Sequence, residues 1–86
     1  MPRFFLHIDD GTQRIEDEEG SDLPDLAAAR DEALSSARQL WAAAILDHRD
    51  LGPSRFLIAD VEGNVIDAVK MDEALPHALI ERLRPN

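Results

Sequence analysis

The chain has 86 residues, with nine Lys and Arg against eighteen Asp and Glu, giving a net charge of −9 at neutral pH. That length allows one domain, and 44% hydrophobic with 31% charged residues suits a folded soluble domain rather than a disordered chain. No cysteine is present, which excludes disulfides, iron–sulfur clusters, thiolate zinc sites and a cysteine nucleophile; no apolar run approaches the ~20 residues of a membrane span.

Met1-Pro2-Arg3-Phe4-Phe5 lacks the apolar stretch and small-residue cleavage site of a signal peptide, so a cytoplasmic location is expected. Arg3 to Ile8 is rich in aromatic and branched residues and reads as a strand. Asp10-Gly11 is a hairpin signal, because glycine accepts the positive φ of a tight turn. Thr12 to Asp17 returns as a more polar strand, suited to a sheet edge. Glu18-Glu19-Gly20-Ser21 reads as a loop.

Asp22-Leu23-Pro24-Asp25-Leu26 reads as a helix start, with Asp22 as the cap and Pro24 in the first turn. From there to about His48 the chain is alanine-rich and free of Gly and Pro. Leu26, Ala29, Ala33, Ala37, Leu40, Trp41, Ala44 and Ile45 recur every three or four residues as one apolar stripe, opposite a face with Arg30, Asp31, Ser35, Arg38 and Gln39. Gly52-Pro53 breaks the helix. Arg55 to Val61 and Asn64 to Lys70 form a second hairpin around Glu62-Gly63, apolar on both faces. Asp72 to Arg84 reads as a last helix, with Leu75, Leu79, Ile80 and Leu83 on one face.

The order β-β-α-β-β-α predicts an α+β, two-layer domain: a four-stranded antiparallel-type sheet with one long helix across one face, the hairpins joined by contact of the first strand with the third. Residues 1–75 form the domain, and 76–86 a short helical extension packing on it or on a partner. A helix of about 23–25 residues is ~35 Å long, and six-residue strands span ~20 Å. The helix therefore overhangs the sheet, and Trp41, Ala44 and Ile45 need cover. Either the C-terminal segment or a second copy of the chain supplies it, and Trp41, Ile45, Leu79 and Ile80 are the expected apolar contact.

Ten of the eighteen acids lie between Asp9 and Glu32, against two bases, Arg14 and Arg30. Such a surface repels phosphate backbones and anionic membranes, so nucleic acid and membrane partners are disfavoured. Asp9, Asp10, Glu16, Asp17, Glu18 and Glu19 gather near the first hairpin as an acidic patch. Read as chemistry, the patch supports weak Ca²⁺ or Mg²⁺ binding at most, because no EF-hand spacing is present and acids alternating along a strand point to opposite faces. His7, His48 and His77 share no metal-ligand spacing, and no serine sits in a nucleophile elbow. No phosphate-binding glycine loop exists. No cofactor, metal or catalytic residue is expected.

Met1-Pro2-Arg3-Phe4-Phe5-Leu6-His7, Asp10-Gly11, Asp17-Glu18-Glu19-Gly20, Leu23-Pro24-Asp25-Leu26, Ala28-Ala29-Arg30, Glu32-Ala33, Ala59-Asp60 and Gly63-Asn64-Val65 together form a pattern. It resembles a family of short bacterial proteins, a domain of unknown function common in rhizobia and other alphaproteobacteria. The similarity covers roughly residues 1–75 and implies a cytoplasmic bacterial protein; it carries no activity, cofactor or catalytic residue. Three functional readings follow: a small acidic protein-interaction module, homodimeric or with a basic partner; an antitoxin-like regulatory module; and a small-ligand or weak divalent-cation binder.

Overall fold

The computed structural model describes residues 1–76. Strand β1 spans Arg3–Asp9, β2 Arg14–Ile15, β3 Ser21–Asp22, helix α1 Leu26–Leu46, β4 Arg55–Ala59 and β5 Val65–Lys70; a 3-10 turn covers Met71–Ala74. The fold is α+β, with one helix on an antiparallel sheet of order β2-β1-β4-β5. The contact expected between the hairpins is the β1–β4 ladder, which runs from Phe5↔Ala59 to Asp9↔Arg55.

The second strand is shorter than the sequence suggests. Asp10 turns the chain by accepting the Thr12 and Gln13 amides, which removes both from the ladder. Only Ile15 and Arg14 then pair with β1, opposite Ile8 and Asp9. The expected loop supplies a further strand: Ser21 and Asp22 pair with Phe4 and Arg3. Asp22 is thus held in the sheet, where the Arg3 guanidinium meets both its carboxylate oxygens, and cannot cap the helix. Asp25 does so, accepting the Ala28 amide at 2.9 Å.

Helix α1 has 21 residues, about 31 Å. It ends in a Schellman motif, with Arg49 donating to the Ala44 carbonyl and His48 to that of Ile45. His48 occupies the left-handed position usual for glycine, at φ 55°.

Ala29, Ala33 and Ala37 form a fully buried row at spacing four. Their small side chains bring the helix close to Phe4, Phe56, Ile58 and Val69, which supply the bulk of the core. Alternation then turns the His7, Leu57 and Ala68 row to the other sheet face. Leu57 and His7 are nevertheless buried there, as apolar residues on both faces of the hairpin imply. The register slips between Ile58 and Ala59, beside exposed Val65 and Ile66. Where the last helix is expected to start, the described residues hold a 3-10 turn over Met71–Ala74 that ends in extended backbone at Leu75; Leu79, Ile80 and Leu83 lie outside the described residues.

Gly20 sits at φ +72°, and an added Cβ would meet Phe5 Cε1 at 2.9 Å and the Phe4 carbonyl oxygen at 3.0 Å. Gly20→Ala is expected to lower stability by about 1–3 kcal/mol, read as a fall in urea midpoint. A loss below ~0.5 kcal/mol would show that the β1–β3 approach is looser than described.

Candidate functional site

The acids gathered near the first hairpin are largely committed to the fold. Asp9 accepts the Gly11 amide and holds Arg55 at 3.2 Å. Asp10 organises the turn, as above. Asp17 accepts the Leu6 amide at 3.1 Å and the Gly20 amide at 3.1 Å. Glu16 lies 3.1 Å from Arg14. Of the six, only Glu18 and Glu19 leave their carboxylates free of hydrogen bonds and ion pairs among the described residues; both are exposed. The same use of carboxylates recurs along the chain. Asp50 accepts from Gly52, Asp60 from Glu62 and Asn64, Asp67 from Ala68, and Glu73 from Lys70.

Arg30, assigned to the solvent face by its helical position, reaches back to the sheet. It meets Asp67 at 2.7 Å and Glu73 at 3.2 Å. The Arg30 guanidinium, first, and the Ala68 amide hold the Asp67 carboxyl below the usual aspartate range. The Gly11 amide and then Arg55 do the same for Asp9, and the Gln13 and Thr12 amides for Asp10.

His7 accepts the Asp17 amide on Nδ1 at 3.0 Å, which places the ring proton of the neutral form on Nε2. The Glu16 carboxylate stands 3.2 Å from the same nitrogen. His7, Arg14, Glu16, Asp17 and Asp60 line an open groove of about 260 Å³ with Phe5 and Val61. His48 follows the C-cap residue Asp47 at the end of α1, and no group of three metal-binding side chains comes together among the described residues.

Trp41 and Ile45, two members of the expected apolar contact, line the same groove but differ in exposure. Trp41 is half-buried against the core, and its indole N–H donates to the Met71 carbonyl at 2.9 Å, tying the 3-10 turn to the helix. Ala44 is fully buried. Ile45 is 62% exposed and Leu46 80%. Trp41, Ala42, Ile45 and Arg38 face Ala74, Leu75 and Pro76 across an apolar groove of about 420 Å³. A third groove, about 380 Å³, lies by Gly52, Arg55, Lys70 and Asp72. These grooves open to solvent and so take nothing from the core. Leu79 and Ile80 lie outside the described residues. No periodic signal marks the Arg30 contacts, since they join residues 37 and 43 positions apart.

Residues 3–72 match the family described as a domain of unknown function, DUF6894. That is most of the chain, and the protein belongs to this family. No curated protein and no solved structure matches it. No helix among the described residues is long and apolar enough to cross a membrane.

The lowered Asp9, Asp10 and Asp67 carboxyls favour their charged forms in the fold. Their stabilisation is complete above the unfolded aspartate value of about 3.9 and is lost as pH falls through the lower folded values. Urea midpoints are therefore expected to stay level from about pH 7 to 5 and to drop below about pH 4, less steeply in Asp67→Asn. A wild-type midpoint unchanged down to about pH 2 contradicts this assignment.

Proposed function

We propose that this DUF6894 member is a small acidic protein-interaction module rather than an enzyme, and that it takes a basic partner through the groove at the C-terminal end of α1. The observation that carries the reading is the pairing of exposed Ile45 and Leu46 with an apolar groove on a chain of net charge −9. An isolated apolar patch beside a polar surface is the usual mark of a protein contact. The excess negative charge attracts a basic protein and makes two copies of this chain repel each other. A basic partner is therefore favoured over a homodimer. An antitoxin-like role is one form of this reading, with a short basic toxin as the partner. The grooves bring polar side chains together only at the open surface, which supports a binding surface better than a water-excluding catalytic site.

The test is capture from an extract of the native host, at about 50 mM and about 500 mM salt, by wild type and by Ile45→Glu. The expected result is a specific basic protein retained by wild type at low salt. It is lost at high salt and lost by the variant at either salt. An empty capture, or one indifferent to both changes, contradicts the reading. A wild-type mass of twice 9.6 kDa that reverts in Ile45→Glu makes a second copy the occupant.

A further inference from the structure

Two amides on the free side of β5 are bonded by side chains of its own chain. β5 pairs with β4 on one side, from Val65 to Lys70. On the other side the amides of Ala68 and Lys70 turn outward, as alternation along a strand requires. Neither is left to solvent. Asp67 Oδ1 accepts from Ala68 at 2.8 Å, and Glu73 Oε2 accepts from Lys70 at 2.8 Å. The second oxygen of each carboxylate goes to Arg30: Nη1 to Asp67 Oδ2 at 2.7 Å, and Nη2 to Glu73 Oε1 at 3.2 Å. One guanidinium thus holds two carboxylates, and each carboxylate holds one edge amide. Arg30 is positioned by a helix turn whose Ala29 and Ala33 are fully buried. Glu73 is positioned by the 3-10 turn, which Trp41 and Ser54 fix through Met71.

The strand behind this clamp is built for pairing. Val65-Ile66-Asp67-Ala68-Val69-Lys70 is rich in branched residues, and Val65 and Ile66 are nearly half exposed. An added antiparallel strand would satisfy the amides the carboxylates now occupy. A second β5 fits this edge. Pairing about a two-fold axis at Ala68 sets Ala68 opposite Ala68, Ile66 opposite Lys70 and Asp67 opposite Val69, so no like charges face each other. Centring on Asp67 instead would set two carboxylates face to face. We propose that β5 is a strand-addition edge for a second copy of this chain, held shut by the clamp of Arg30 on Asp67 and Glu73. The proposal is independent of the α1 groove and of any partner there.

The test is the mass in solution of the full chain, by light scattering after gel filtration at about 0.3 M salt to screen repulsion. Wild type is expected at 9.6 kDa. Asp67→Ala with Glu73→Ala is expected at twice that, with the wild-type far-ultraviolet dichroism retained. Adding Ala68→Pro should return the monomer, because proline has no amide to donate and is tolerated on an edge facing solvent. A folded double variant that stays monomeric, or a dimer that survives Ala68→Pro, overturns the proposal. Should the double variant fail to fold, Glu73→Ala alone decides. The Lys70 amide is then expected to exchange about tenfold faster or more while the Val69 ladder amide keeps its protection; an unchanged Lys70 rate overturns the clamp.

Discussion

Leu6, in the middle of β1, donates its amide to the Asp17 carboxylate at 3.1 Å instead of to a neighbouring strand. A buried amide without a partner costs about 1–3 kcal/mol, so this contact stabilises the part-buried edge of β1. The two-residue strands β2 and β3 cover the ends of β1, and Asp17 covers the gap between them. Asp67 and Glu73 do the same for β5. Both sides of the sheet are thus finished by carboxylates. Much of the acidity that a composition count assigns to an interaction surface is spent on backbone amides.

Helix packing follows a complementary logic. The alanine row lets α1 lie close to the sheet, and the aromatic and branched residues of β1, β4 and β5 fill the layer between them. A helix of about 31 Å outruns strands of five to seven residues. The 3-10 turn covers part of the excess by accepting the Trp41 indole, while Ile45 and Leu46 are left in solvent. The groove lies between this end of α1 and the segment Ala74, Leu75 and Pro76.

The α+β class, the antiparallel sheet, the β1–β4 contact and the alanine stripe were legible in the sequence, because period and turn chemistry are local signals, whereas the two-residue strand β3 was not. The length of β2 was not. Polar residues at an edge look alike whether they pair as a strand or give their carboxylates to another strand, and Asp17 does the latter. The helix cap was displaced from Asp22 to Asp25 by the pull of Arg3, a contact across 19 positions. Arg30 was assigned to solvent because a helical wheel carries no information on the carboxylates that meet it, Asp67 and Glu73, which lie 37 and 43 positions away. Trp41 and Ile45 share a stripe in sequence and line one groove, yet Trp41 is half-buried with its indole bonded to Met71 while Ile45 is exposed.

The family supplies no activity, so function rests on surfaces: an apolar groove and a largely committed set of acids. The central claim is that side-chain carboxylates replace missing strand partners. The most direct measurement is native-state amide exchange at Leu6, compared with ladder amides of β1 and β4. Protection at Leu6 close to that of the ladder, falling to solvent-like exchange in Asp17→Ala while the chain stays folded, is the predicted result. Fast exchange at Leu6 in the wild-type protein would contradict the account.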